Sequence, residues 1–459
     1  MTKLIRWSLL LLAAGASFLP LAAQSLRVSP DKRHLLYGDG TPFFYLGDTA
    51  WELFHRLDRE EADLYLEDRA AKGFTVIQAV ALAELGGLTE PNRYGHLPLE
   101  NDDPARPNED YFKHVDYVVN KAEMMNMFLG MLPTWGDKWN GLGRAKEIFT
   151  PENARTYGAW IGNRYKDKPV IWILGGDRSP ETEAHKAVIR AMAEGIRSAV
   201  GNKQLMTFHP MGGASSADFF HNDPWLDFNM FQSGHAAYNL PNYERTVAAR
   251  ALEPAKPVLD GEPRYEDHPV DWKPEKGWFE DFDVRQAAYW SMLSGACGHT
   301  YGNHNIWQFY QKDRKPVSAA RTPWKEALEQ PGAEQMAHLK DLFESRPWQK
   351  LVPDQSLITV HDTSKNAVRA ARASDGSCIL VYMPASEPVK VDLTKISDRS
   401  VTGWWYNPGN GATARIGKFR NGSVREFDPP GEAFPGNDWV LVLDATGKNF
   451  DPPGRRREY

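Results

Sequence analysis

A (β/α)8 barrel followed by a small all-β sandwich is the α/β fold class that this sequence predicts, and three observations carry it. Between about residues 25 and 350, eight short apolar segments alternate with segments of helical spacing, the order of a parallel barrel. After Pro347 the texture changes to short alternating runs separated by Gly, Asn, Asp and Pro, the pattern of an antiparallel sandwich. The length of 459 residues suits a barrel of roughly 250 residues or more with a small companion. The predicted division is a signal peptide over 1–23, a barrel over 25–350, a sandwich over 354–445 and a flexible tail over 446–459.

The leader reading rests on Lys3 and Arg6, the apolar stretch from Trp7 to Leu21, and the small residues Ala22 and Ala23. No Cys follows, so no lipid anchor is expected; the chain is expected to be exported, periplasmic or secreted. No later stretch reaches membrane-spanning length. Turn chemistry at Ser29-Pro30-Asp31 and Gly38-Asp39-Gly40 then predicts a hairpin ahead of the barrel.

The first barrel strand is predicted at Phe43–Gly47, ending at Asp48 and Trp51, with a helix over Arg59–Lys72 stopped by Gly73. Phe74–Ala81 is the second strand, followed by a long polar insertion through Asn108 that leaves from a strand's carboxyl end, where loops carry function. Tyr111–Met125 is the next helix and Met127–Leu132 the third strand, ending at Trp135. Pro151–Tyr165 is a helix with Thr150 as its cap and Pro151 at its first position. Strands follow at Val170–Leu174, Leu205–Phe208, Phe228–Phe231, Val258–Asp260 and Gly298–Tyr301. Helices are predicted at 181–200, 243–251, 284–293 and 335–344. In the sandwich, runs at 357–360, 367–371, 378–383, 389–393, 401–406 and 439–443 read as strands.

Composition narrows the function. With 42% hydrophobic and 25% charged residues the chain is not disordered. A net charge of −6 offers no global attraction to nucleic acid or to an anionic membrane. The 16 Trp exceed what a core needs, and surplus indoles line sugar clefts, where a sugar's C–H face stacks on the ring. Cys297 and Cys378 fall in different predicted domains and read as buried thiols.

Two stretches hold the chemistry: Lys168–Arg178 (KPVIWILGGDR) and Lys256–Glu266 (KPVLDGEPRYE). Each runs from Lys-Pro through a short apolar segment to small residues and a carboxylate, so Asp177 and Glu262 are placed at the carboxyl ends of two barrel strands. Two carboxyl groups in unlike environments hydrolyse an acetal, one protonating the leaving group and one supporting the anomeric carbon. Glu262 is the candidate nucleophile, held anionic by Arg264 or the Tyr265 hydroxyl, and Asp177 is the candidate general acid/base. A separation of roughly 5 to 5.5 Å would mean retention of configuration, a wider one inversion. The bland alternative is that Asp177 caps the following helix and Glu262 pairs with Arg264.

Asp48, Trp51, Gln78, Trp135, His209, Gln232, His235, Tyr265, His304 and Trp307 are candidates for binding hydroxyls or stacking on a sugar, with Arg178 and Arg264 for a uronate carboxylate. Asp48 stands out, because an acid at a strand end needs a partner and a sugar diol is one.

The series FYLGDTAW, GFTVIQ, WILGGD, VLDGEPRYE and GHTYGNH resembles the apiosidase-like catalytic domain of glycoside hydrolase family 140, and GWWYNPGNG resembles the β module that accompanies it. The resemblance covers nearly the whole chain after the leader. It implies a (β/α)8 barrel plus β-sandwich that releases apiose-linked side chains from the pectin rhamnogalacturonan II, with Asp177 as acid/base and Glu262 as nucleophile. A plant polysaccharide or oligosaccharide is the expected substrate, with no cofactor and no metal, and the chain is expected to be a monomer. Three rivals stay open. They are a glycosidase on an arabinofuranoside or β-mannan, a non-catalytic carbohydrate- or collagen-binding protein, and a metal-dependent hydrolase using Asp48, His209, His235 and His304.

Overall fold

The computed structural model describes residues 25–359 and 366–455; the expected leader lies outside them. Eight parallel strands, each buried along its length, form the barrel: β1 Tyr45–Thr49, β2 Val76–Val80, β3 Phe128–Leu132, β4 Val170–Gly175, β5 Met206–His209, β6 Asn229–Phe231, β7 Val258–Asp260 and β8 Gly298–Tyr301. Six of them pair in the order β8-β1-β2-β3-β4-β5, and β6 pairs with β7. The two ribbons meet at seams held by a few bonds: Asp227 N–H to Met206 O (2.8 Å) and Thr207 Oγ1 to Phe228 O (2.7 Å) on one side, Cys297 N–H to Val258 O (2.9 Å) on the other. The predicted barrel is therefore present, with a hydrogen-bond ring that is discontinuous beside the shortest strands.

Around it lie α1 Arg59–Ala71, α2 Glu109–Met124, α3 Pro151–Tyr165, α4 Glu183–Val200, the single turn α5 Ala217–Phe220, α6 Asn242–Arg250, α7 Asp281–Leu293 and α8 Pro331–Glu344. Local chemistry sets their starts. Asp58 accepts from Glu61 N–H in a capping box, and Thr150 does the same with Asn153 ahead of Pro151. Helices α7 and α8 begin three and four residues before the predicted positions, because their opening residues, Asp281-Phe282-Asp283 and Pro331-Gly332-Ala333-Glu334, carry no apolar periodicity.

The predicted N-terminal hairpin is a three-stranded antiparallel sheet. Its Leu26, Leu35 and Phe43 pack with Leu205, Phe228, Leu259 and Cys297, closing the end of the barrel opposite the strands' carboxyl termini. Both cysteines are buried thiols.

The C-terminal region is a six-stranded antiparallel sheet in the order Leu351–Pro353, Arg369–Ala373, Cys378–Ala385, Pro435–Ala445, Ser400–Tyr406, Thr413–Arg420, with a second sheet of Val389–Asp392 and Val424–Phe427. Three of these strands, at 351–353, 413–420 and 424–427, are missed by the sequence pattern: the first is only three residues long, and in the other two half of the residues are polar and all but Phe427 are half or fully exposed. The expected strand at 357–360 is instead a short 3-10 turn at Gln355–Leu357 and a lone bridge from Ile358 to Val391; Val360 lies outside the described residues. Of the predicted tail, residues 446–455 are described. They fold back: the Arg346 guanidinium sits 4.9 Å over the Phe450 ring, and Gly454 N–H donates to Ser345 Oγ at 3.1 Å.

One apolar core joins the barrel helices to the sheet, with Tyr289 stacked on Tyr382 at 4.8 Å. Two buried ion pairs, Arg285–Asp438 and Arg346–Asp444, cross the same junction. Among the described residues no helix is long and apolar enough to cross a membrane.

Candidate active site

Strand β4 ends in Gly175-Gly176-Asp177, three consecutive residues with left-handed backbone (φ 99°, 97° and 53°). At Gly175 a Cβ would stand 2.4 Å from His209 O, and at Gly176 it would stand 2.9 Å from Gly136 N, so neither position admits a side chain. Bonds from Trp139 Nε1 to Gly175 O (3.0 Å), Gly136 N–H to Gly176 O (2.9 Å) and Gly176 N–H to His209 O (3.1 Å) hold the turn. Its product is Asp177, a non-glycine residue in a costly conformation with its carboxyl turned into the mouth of the barrel. The following helix is capped by Thr182, so Asp177 does not serve as a cap.

Glu262 follows β7 and lines the same cavity, about 590 Å³ in volume, at the carboxyl ends of the strands. His235 Nε2 lies 3.0 Å from its Oε1 and His209 Nε2 lies 3.1 Å from its Oε2. His209 Nδ1 accepts the Asp177 amide at 3.3 Å, which leaves the ring proton on Nε2, facing Glu262. The partners that hold Glu262 anionic are thus two histidines from β5 and the loop after β6, and not Arg264. That arginine follows Glu262 into the protein interior, where it is 1% exposed beneath the field of Asp283 and Asp260, 5.7 Å over the Trp290 ring. Neither half of the bland alternative holds.

The two acids have opposite proton affinities. Burial alone would raise Glu262, but the hydrogen bonds of His209 and His235 outweigh it and bring the group down to about 2. Asp177 is pushed up to about 6, first by burial and then by the charge of Glu262, against the pull of His209 and Arg178. Its side chain is 31% exposed, but the solvent it meets is that of the cavity. Arg178 donates from NH1 to the Asp177 carbonyl (2.6 Å) and lies 3.2 Å from its Oδ2.

Nine of the residues singled out from sequence line this cavity: Asp177, Glu262, Trp51, Trp135, Arg178, Gln232, His235, Tyr265 and Trp307. Trp51 and Trp135 pack at 5.3 Å, and Trp51 meets His209 edge-on at 5.4 Å. The other five turn elsewhere. His209 backs the wall through Glu262, and Arg264 is interior as described. Asp48 is fully buried and spent on Arg69 Nε (2.5 Å) and Tyr65 OH (2.6 Å), so its partner is a helix residue and not a sugar diol. Gln78 donates to Thr300 Oγ1 (3.1 Å) and Gly261 O (3.3 Å) across the barrel interior. His304 accepts from Trp307 Nε1 (3.3 Å) and turns its Nε2 to the carbonyls of Val317 (3.1 Å) and Ser318 (3.0 Å), so it anchors a loop. With Asp48 and His304 so engaged, the four residues of the metal-dependent rival do not converge.

Sequence reasoning missed Glu84, Arg245 and Trp272. Glu84 comes from the long insertion after β2, whose exit from a strand's carboxyl end was the available signal. Its carboxyl is raised to about 8, first by burial and then by the charge of Asp177. Trp272 sits in a 3-10 turn with no periodicity to mark it.

The apiosidase-like catalytic domain family matches residues 29–350, and the family described as "Putative collagen-binding domain of a collagenase" matches 352–444. A solved structure titled "Glycoside hydrolase" is 35% identical, with a TM-score of 0.87, covering 93% of this chain and 98% of its own. A glycoside hydrolase family 5 structure from Bacteroides vulgatus is 33% identical, with a TM-score of 0.87 and 95% of both chains covered. No curated protein matches the chain.

Proposed function

Because this chain belongs to the apiosidase-like family and has a glycoside hydrolase fold, we propose that it is a retaining glycosidase acting on apiose-containing pectic glycans of the rhamnogalacturonan II type, as in glycoside hydrolase family 140. The observation that carries the chemistry is the pair Asp177 and Glu262, on one cavity, with Asp177 raised and Glu262 lowered in proton affinity. In the first step Asp177 gives its proton to the glycosidic oxygen as Glu262 attacks the anomeric carbon and the leaving group departs. In the second, Asp177 takes a proton from water, which displaces Glu262 and releases the sugar. The Trp51 and Trp135 rings and the polar edge of Gln232 offer contacts to the sugar, and Arg178 offers a cation to a neighbouring carboxylate. On this reading the protein works outside the cytoplasm, to which its expected leader would deliver it, as a monomer. The C-terminal sheet serves as a buttress, a role supported by the two ion pairs and the shared core at the junction.

Incubation with rhamnogalacturonan II, arabinan and mannan, followed by identification of the reducing sugar released, tests the substrate. Apiose-ended oligosaccharide from the first alone is the expected product. Release from arabinan or mannan alone would replace the substrate class while keeping the chemistry.

A further inference from the structure

The catalytic pair accounts for one end of the cavity; the rim on the side of His235 carries an arrangement that the chemistry leaves unused. Trp272 lines the cavity there and is 49% exposed, whereas Trp51, Trp135 and Trp307 are nearly buried. It stands on strained backbone, since Asp271 and Trp272 both have left-handed φ (55° and 61°), a region that bulky side chains rarely enter. Such a conformation is costly and persists only where surroundings impose it.

The surroundings are built for this. Asp271 is clamped by Lys273 (2.9 Å) and Lys276 (2.6 Å), its N–H donates to His235 O (2.8 Å), and Ser318 Oγ donates to Trp272 O (3.2 Å). Beneath the indole runs a row of imidazoles. His268 meets the Trp272 ring edge-on at 4.4 Å, His235 stacks on His268 at 4.3 Å, and His235 bonds Glu262. His268 is kept neutral by burial first and by its neighbouring histidines second. The indole packs edge-on to His268 with about half of its residue's surface exposed at the cavity, one imidazole row away from the nucleophile.

We propose that Trp272 is the stacking platform of a second sugar subsite, which holds the ring next to the one seated over Glu262. An indole on a fixed backbone, packed on a neighbouring ring, offers its open face to the C–H face of a pyranose or furanose with less side-chain freedom to lose on binding. This rests on the glycosidase reading and adds which side chain holds the neighbouring sugar unit.

Equilibrium binding of rhamnogalacturonan II, arabinan and mannan to the Glu262→Gln protein, with and without Trp272→Ala or Trp272→Phe, tests it. Unchanged thermal melting of each variant confirms folding. The glycan that binds is expected to lose about five- to tenfold in affinity with Trp272→Ala, the scale of one aromatic contact, and to recover most of it with Trp272→Phe. The same dependence seen with arabinan or mannan would keep the subsite and overturn the substrate class. A bound glycan whose affinity ignores Trp272→Ala would overturn the subsite and leave the substrate class standing. Binding of none of the three would overturn both.

Discussion

Arg285 on α7 and Asp438 on the longest strand of the C-terminal sheet form a two-pronged ion pair, Nε to Oδ2 at 2.9 Å and NH2 to Oδ1 at 2.7 Å, with both side chains almost fully buried. Tyr382 OH donates to the same carboxylate at 2.9 Å. Removing Asp438 strips buried Arg285 of its two-pronged partner and leaves it Asp281 and Gln335, both on NH1; breaking a buried pair in this way costs up to about 3–5 kcal/mol. Asp438→Ala is therefore expected to lower unfolding free energy in urea by that amount, and to bring down barrel and sheet in one transition. Two separated transitions would show that the sheet is an independent appendage.

The roles of the acids separate by leaving group. Asp177→Asn keeps a side chain that tolerates left-handed backbone, where Ala would add strain. It is expected to lose about 10²- to 10⁴-fold in kcat/KM on native glycan and far less on an activated aryl glycoside, whose leaving group needs no proton. Glu262→Gln should lose both activities. Equal losses for the two variants on both substrates would overturn the role assignment.

On the proposed assignment activity requires Asp177 protonated and Glu262 ionised, so kcat/KM should rise with pH as Glu262 loses its proton near 2 and fall as Asp177 loses its own near 6. The optimum is acidic. His235→Gln removes a ring N–H that favours the carboxylate and should move the acid limb upward by about one pH unit. An acid limb that stays in place would mean that His235 does not hold Glu262.

Asp48 lies at a strand end yet faces α1, where Arg69 and Tyr65 consume its oxygens. Asp48→Ala should cost up to about 3–5 kcal/mol of stability by leaving buried Arg69 its Asp68 pair but not its Asp48 one, with KM of the surviving folded enzyme unchanged. A raised KM at unchanged melting temperature would restore it to substrate binding.

Gly175→Ala places a methyl against His209 O in a left-handed position. A kcat loss of tenfold or more is expected even where melting shows a folded protein, because the shifted turn carries Asp177 and, through His209, the partner of Glu262. Full activity in a folded Gly175→Ala variant would show that the turn does not set the geometry.

The sequence by itself determined the alternation of eight barrel strands with helices, the hairpin before them and the change to β structure after Pro347. These follow from local periodicity, turn residues and caps such as Thr150-Pro151, which act within a few residues. It also determined which strand ends carry Asp177 and Glu262, because an apolar strand closing on small residues and an acid is a local pattern. Which way each strand-end side chain turns was decided only by the tertiary structure. Asp48 and Asp177 read alike in sequence, yet one meets Arg69 across a helix–strand contact and the other meets open cavity. The partners of Glu262 come from chain segments 53 and 27 residues upstream, while its sequence neighbour Arg264 turns inward. Proton affinity depends on that three-dimensional surrounding, as does the exposure of Trp272 on its strained turn, and no local pattern encodes either.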